Sequence, residues 1–201
     1  MKKSLNRLVI DSSTPYLFIG LYNNDTMIDN YYAIGHNDHS VKLMDKLEQL
    51  LIKHELKSAD LDEIIVGIGP GSYTGLRIGV VVAKMLAYSL DIPIYTVSSL
   101  ALLASSVEDE GDILPWIDAR RSHAFLGVYQ QKAGYLVLKQ KEVYTHLDTF
   151  KEQSNDFTEV TQGKPDLKKL IESNLLVKAD DIDLVAPIYL RDTEAERNLN
   201  D

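Results

Sequence analysis

The chain has 201 residues, 45 % hydrophobic and 25 % charged, with a net charge of −9 and no cysteine. This is the balance of an ordinary globular protein, and the acidic surplus argues against a surface that grips nucleic acid unaided, since such binding neutralises phosphates. Without cysteine there is no disulfide, thiolate metal site or cysteine nucleophile, a reducing cytoplasm is the expected setting, and the lack of any run of 18 apolar residues predicts neither a signal peptide nor a membrane span.

In chain order, LNRLVID (5–11) reads as a strand, closed by the turn-forming run Ser12-Ser13-Thr14-Pro15. YLFIGLY and TMIDNYYAI follow as strands on either side of Asn23-Asn24-Asp25, which makes an antiparallel meander. From Ser40 the period becomes helical. Leu43, Met44, Leu47, Leu50 and Leu51 share one face, with Lys42, Asp45, Lys46, Gln49 and Lys53 opposite, so a helix is predicted over 40–56 with Asp38 or Ser40 as its cap. EIIVGIG (63–69) is short and continuously apolar, the pattern of a central strand. A glycine-rich turn, Gly69-Pro70-Gly71-Ser72-Tyr73-Thr74-Gly75, leads into LRIGVVVAKMLAYSL (76–90), apolar on nearly every side and therefore expected to be buried almost all round. Gly79 inside it costs about 1 kcal/mol of helix propensity, which predicts that another backbone comes close. DIPIYTV is a further strand, and SSLALLASSV a short helix capped by Ser98 or Ser99.

The second half looks like a copy. With Ile10-Asp11 over Ile117-Asp118, FIGLYNN falls on FLGVYQQ without a gap, so that Phe18, Gly20 and Tyr22 meet Phe125, Gly127 and Tyr129. Such self-similarity points to one strand–turn–strand unit used twice. YLVLKQKEVYT supplies the third strand of the second unit; LDTFKEQ and PDLKKLIESN read as modest helices and FTEVTQ as a short strand. The acidic EDEGD suggests a boundary near Glu108–Asp112, dividing the chain into units 1–108 and 109–201, and the charged tail DTEAERNLND is expected to fray.

The glycine turn raises the question of a phosphate cradle. A P-loop needs lysine and a hydroxyl after its last glycine, and here Gly75 is followed by Leu76 and Arg77. The dinucleotide fingerprint G-x-G-x-x-G is missed by one residue, and Asp91, at the spacing of a ribose-binding acid, sits in a helix-to-strand turn. A structural reading fits the composition: glycines permit close backbone approach, Pro70 stiffens the turn, and Ser72 or Thr74 caps the helix. An anion at this helix start stays open as the alternative. His36 and His39 lack the i, i+4 spacing and carboxylate of a helix-borne metal pair, and His39 reads as a helix-opening residue. No G-x-S-x-G elbow or H-E-x-x-H is present. Arg120, Arg121 and His123 form the one compact basic cluster, either a solvated turn or a contact for an anion or tRNA.

GPGSYTGLRIG followed by AKMLAYSLDIPIYTVSSLALLA resembles the signature segment of the bacterial TsaB (YeaZ) family, as do, in the same order, IDSST, His39-Ser40, WIDARR and PIYLRD. The resemblance is close from Leu8 to about Tyr129 and loose until Pro187–Arg191. It implies an α/β chain with mixed sheets in the actin-like (Hsp70-like ATPase) fold, with two related lobes each beginning in a three-stranded antiparallel meander. It further implies a non-catalytic subunit without cofactor or metal. That subunit pairs with TsaD, and with the ATPase TsaE, for transfer of threonylcarbamoyl to the N6 of the tRNA adenosine next to the anticodon, meeting tRNA only through the complex. By the same resemblance the free chain is expected to be a homodimer. The shared surface would comprise Leu43, Met44, Leu47 and Leu51 of the first helix with Tyr73, Arg77, Ile78, Val81 and Met85 of the second.

Actin-like ATPases hold phosphate where this chain has Asp11-Ser12-Ser13-Thr14, which makes Ser12, Ser13, Arg120 and Arg121 the candidate anion contacts. The corresponding turn of the other lobe, Asp118-Ala119-Arg120-Arg121-Ser122, lacks glycine, so an intact ATPase is not expected, and Asp11 and Asp118 are expected to bond their own turns. The contrasting reading is an enzyme acting alone, a nucleotide-binding hydrolase or an M22-type glycoprotease. The chain departs from the family in its short second lobe from about His146, which puts TsaE contacts in doubt, and in Tyr73, where many relatives have phenylalanine.

Overall fold

The computed structural model describes residues 4–35, 38–152 and 156–191. His36, Gln153 and the tail DTEAERNLND lie outside them. The first unit opens with β1 (Asn6–Asp11), β2 (Tyr16–Asn23) and β3 (Thr26–Ile34), the expected antiparallel meander. Then come α1 (His39–Lys53), β4 (Glu63–Gly67), α2 (Tyr73–Leu90), β5 (Ile94–Val97) and α3 (Ser99–Ser105). The second unit holds β6 (Gly111–Asp118), β7 (His123–Lys132), β8 (Tyr135–His146), α4 (Leu147–Glu152), β9 (Thr158–Val160) and α5 (Leu167–Glu172). A two-residue strand, β10 (Val177–Lys178), comes last. α1 stops three residues short of the expected Leu56, where Glu55 turns left-handed. α2 starts three residues before the expected Leu76, because the Ser72 side chain accepts from the Gly75 amide as N-cap.

Two mixed sheets result, ordered β10-β5-β4-β1-β2-β3 and β8-β7-β6-β9. In each, the meander's first strand takes a parallel neighbour, β4 beside β1 and β9 beside β6. The predicted duplication is real and has a packing cause. On β2, Leu17, Ile19 and Leu21 face the core under α1 and α2, while Phe18 and Tyr22 face the other sheet. On β7, Leu126 and Val128 lie under α4, while Phe125 and Tyr129 face back toward the first sheet, with α3 and α5 between. The shared Phe-x-Gly-x-Tyr pattern is thus one strand face used twice: a Cβ at Gly20 would stand 2.6 Å from the rings of Phe18 and Tyr22. Polar ties cross the same gap. Tyr22 donates to the Pro165 carbonyl at 2.8 Å, and Glu142 accepts from Tyr129 at 2.6 Å and from Ser98, the α3 cap.

The boundary near residue 108 does not separate two self-contained halves. After α5 the chain returns to the first sheet, where β10 pairs with β5. The turn Ile182–Leu184 lies on α2, and Lys84 donates to the carbonyls of Asp183 and Val185 at 2.9 and 3.1 Å. The Ile188 amide then bonds the Ile68 carbonyl at 2.7 Å.

Candidate functional site: the glycine turn, its neighbours and the helix face beside it

The glycine turn is held by contacts to the β1–β2 turn. The Ser72 amide donates to the Ser13 carbonyl at 2.7 Å, and Ser12 Oγ donates to the Gly75 carbonyl at 2.7 Å. On its other side the Ser99 amide donates to the Gly69 carbonyl at 2.9 Å, and the Gly69 amide to Ser99 Oγ at 3.1 Å. A Cβ at Gly75 would stand 2.0 Å from the Ser12 carbonyl oxygen, and one at Gly71 2.5 Å from that of Ser13. These glycines let two backbones touch, and the touching backbone fills the space a phosphate would need. At Gly79 the close neighbour is the Ser12 hydroxyl, 2.5 Å from a built Cβ, so the expected close approach is real but comes from a side chain.

Ser12 and Ser13, expected as anion contacts, are 1 % exposed. Ser12 commits its hydroxyl to Gly75, and the assignment is corrected accordingly. The crevice beside Asp11, bordered by Tyr16, Phe18, Tyr32 and Pro165, has a volume of about 20 Å³. That is room for about one water. Burial pushes the Asp11 carboxyl up from its ordinary value, against the lowering effect of the Ser13 amide that donates to it at 2.7 Å. A carboxyl raised by folding binds its proton more tightly in the folded state, so its contribution to stability falls as pH rises from the unfolded value, about 3.9, to the folded one. Asp11→Asn, which keeps an acceptor for Ser13, is therefore expected to be more stable than wild type near pH 7, with the difference closing below about pH 4. Urea denaturation across pH checks this, and a difference independent of pH would refute it.

Asp118 looks like the counterpart of Asp11 in sequence but is not in space. Asp11 pairs across the hairpin with Phe18, whereas Phe125 pairs with Ile117 and Asp118 with Ala124. The two turns span equal lengths of chain, but the second hairpin pairs one residue out of register with the first, and a slip of one residue sends a side chain to the opposite face. Ile117 thus faces the first sheet, and Asp118 is exposed, its carboxylate accepting from the Arg120 amide at 2.8 Å. Both aspartates bond their own turns as expected, but only one lies at the crevice.

The β6–β7 turn is strained: Arg120, Arg121 and Ser122 have φ of 66°, 54° and 60°. Left-handed backbone costs a non-glycine residue roughly 1–2 kcal/mol. Both arginines are exposed. Near the same turn, Arg191 donates to the Ala119 carbonyl at 3.3 Å and lies 4.9 Å over the Tyr144 ring, which stacks on His123 at 5.0 Å. His39 opens α1, with Nε2 3.3 Å from the Thr14 carbonyl oxygen. Among the described residues no group of three His, Asp or Glu is placed to hold a metal ion.

The helix faces divide differently from the sequence reading. Leu43, Leu47 and Leu51 are at most 4 % exposed and pack on the first sheet, so their assignment to a partner surface is corrected: they are core. On α2 the expectation of burial all round fails along one stripe. Tyr73, Arg77, Val81, Met85 and Tyr88 repeat every three or four residues on the outer side, with Val81 53 %, Met85 64 % and Tyr88 77 % exposed. Ile78 is half-buried beside them. On α1, Val41, Met44 and Ile52 are exposed as well. At the start of the stripe the Arg77 guanidinium covers the Tyr73 ring at 4.1 Å and donates to the Tyr189 hydroxyl at 3.1 Å. Sequence reasoning missed Tyr88, three residues after Met85 on the outer side of α2, and Tyr189, which the returning chain sets beside Arg77.

Residues 33–174 match the family described as "TsaD: tRNA N6-adenosine threonylcarbamoyltransferase". The chain is 47 % identical over 130 residues to the tRNA threonylcarbamoyladenosine biosynthesis protein TsaB of Bacillus subtilis, a match covering 64 % of this chain and 57 % of that protein. It is 26 % identical over 190 residues to the protein of the same name from Escherichia coli, covering 89 % and 81 %. It thus spans little more than half the length of the Bacillus relative. Among solved structures, YeaZ from Pseudomonas aeruginosa superimposes with a TM-score of 0.77 at 23 % identity, over 92 % of this chain and all of that one, a likeness of fold.

Proposed function

We infer the role from one premise: the chain belongs to the TsaD family of tRNA N6-adenosine threonylcarbamoyltransferases and, within it, to the TsaB (YeaZ) group. On that premise it is a non-catalytic accessory subunit in threonylcarbamoylation of tRNA. It pairs with a TsaD homologue as its main partner, works with a TsaE homologue, self-associates when alone, and resides in the cytoplasm. The observation that carries the reading is the outward stripe of α2 with the exposed residues of α1. Val81, Met85, Tyr88, Val41 and Met44 lie on the far side of the first sheet from the interlobe core, where nothing among the described residues covers them. Contiguous exposed apolar faces of this kind mark protein contacts.

The filled glycine turn supports the non-catalytic half of the reading. Ser12 and Gly75 occupy the ground where a phosphate would approach the backbone, and Ile117 stands where a second acid would face Asp11. The test is size-exclusion chromatography with light scattering, on the chain alone and with the TsaD homologue of the same organism, together with ATP and peptide hydrolysis assays. The expected result is a one-to-one complex that replaces self-association, and no turnover by the chain alone. Turnover alone, or no complex under any nucleotide condition, overturns the reading.

A further inference from the structure

We propose that the arginines at and beside the β6–β7 turn form a strip that holds the phosphate backbone of an RNA running across the seam between this chain and its partner; the seam rests on the reading above.

Four of the chain's six arginines lie along one line. The segment Pro187–Arg191 crosses the glycine turn and joins the start of α2 to the β6–β7 turn: Tyr189 meets Arg77 at one end, and Arg191 meets Ala119 at the other. The strip therefore runs Arg77, Arg191, Arg120, Arg121. Several cations elsewhere are neutralised in pairs, among them Arg7–Glu63, Lys42–Asp38, Lys53–Asp29 and Lys139–Asp112, while others such as Lys84 and Lys169 donate to backbone carbonyls. Among the described residues no guanidinium of the strip has a carboxylate within ion-pair distance, and those of Arg120 and Arg121 have no hydrogen bond. Of the acids on the adjoining elements, Asp118, whose carboxylate accepts from the Arg120 amide, and Asp148 in the first turn of α4 lie nearest the turn in sequence. Glu142 of β8 is bonded to Tyr129 and Ser98, Asp112 at the far end of β6 is paired with Lys139, and Glu152 ends α4. His123 and His146 stand edge to face beside them at 5.4 Å.

The chemistry favours RNA over an acidic peptide because rings alternate with the guanidiniums. Arg77 lies on Tyr73 and Arg191 on Tyr144, which stacks on His123. Guanidinium planes pair with phosphates, and neighbouring rings accept unstacked bases. A net charge of −9 disfavours RNA binding over the chain as a whole, so a strip of four arginines would hold few phosphates. The left-handed backbone at Arg120 and Arg121 keeps both side chains at the tip, a strain of the kind that persists at binding sites.

Arg120→Asn/Arg121→Asn removes both charges with a residue that tolerates left-handed backbone. Its binding to an unmodified tRNA transcript is compared with wild type by fluorescence anisotropy over a salt series, for the chain alone at low salt and for the complex with the TsaD homologue. The expected result is that log K falls with log salt less steeply by about 2, one for each arginine, in both settings, with partner binding unchanged. Arg121→Lys, which keeps the charge, should retain the wild-type slope. An unchanged slope in both settings overturns the proposal, as does a double variant that loses the partner instead of the RNA, which would make the strip a protein contact. If wild type forms no complex, the accessory-subunit reading falls, while the chain-alone series still decides the strip.

Discussion

Gly75→Ala is expected to destabilise the protein by about 3 kcal/mol or more, a large share of the roughly 5–15 kcal/mol that holds a typical domain. Two effects oppose each other. Position 75 lies inside α2, where alanine is worth about 1 kcal/mol over glycine in helix propensity. Against it, the new methyl would stand 2.0 Å from the Ser12 carbonyl oxygen, a backbone atom with no flexible end to move aside. That carbonyl belongs to a buried turn between two central strands, with Ser13 pinned by Ser72 and by Asp11. α2 cannot retreat either, since Leu76, Val80, Ala83 and Ala87 are packed on the sheet. The clash wins. Gly79→Ala meets only a hydroxyl, which can rotate once its bond to Gly75 is given up, and should cost about 1 kcal/mol, a lost hydrogen bond partly offset by helix propensity. Urea denaturation of the three proteins reads the ranking directly. A Gly75→Ala protein as stable as wild type would mean that the two turns are not in contact.

Val81→Asp/Met85→Glu is expected to abolish pairing with the TsaD homologue, weakening it at least about 100-fold, while leaving folding within about 0.5 kcal/mol of wild type. Both side chains are more than half exposed, so the folded monomer loses no core and buries no charge. In a complex the same carboxylates would be desolvated against an apolar partner face, which costs several kcal/mol when no cation answers them. Self-association should fail with it if the same face serves both. Leu47→Asp is the contrasting case. Leu47 lies one turn after Leu43 on the inner side of α1 and is 2 % exposed against the first sheet, so a charge there should unfold the chain. Light scattering with the partner, beside a thermal melt, separates the two variants. Unaltered pairing by a folded Val81→Asp/Met85→Glu protein would remove α2 from the interface.

The order of strands and helices in this chain is legible in its sequence because the signals are local. Alternation over YLFIGLY, the turn run Asn23-Asn24-Asp25 and the apolar run EIIVGIG each speak for their own few residues. The repeat is legible too, since Phe18-x-Gly20-x-Tyr22 and its counterpart at 125–129 place a phenylalanine and a tyrosine on the same strand face around a glycine that has no room for a side chain, beside the two rings at Gly20 and beside Glu142 at Gly127. Three features were decided only by tertiary structure. Periodicity marks a buried face where polar residues occupy the other, and α2 has apolar residues on both, so its outward stripe emerged only when the sheet took the opposite side. The facing of Asp118 depends on a hairpin paired one residue out of register with its twin across a turn of equal length, which no local pattern records. The return of residues 175–191 to the first sheet rests on a two-residue strand and single backbone bonds, too short for any propensity to signal. It is this return that sets Arg191 beside Arg120 and Tyr189 beside Arg77, the Arg191–Ala119 and Tyr189–Arg77 bonds spanning 72 and 112 residues of sequence.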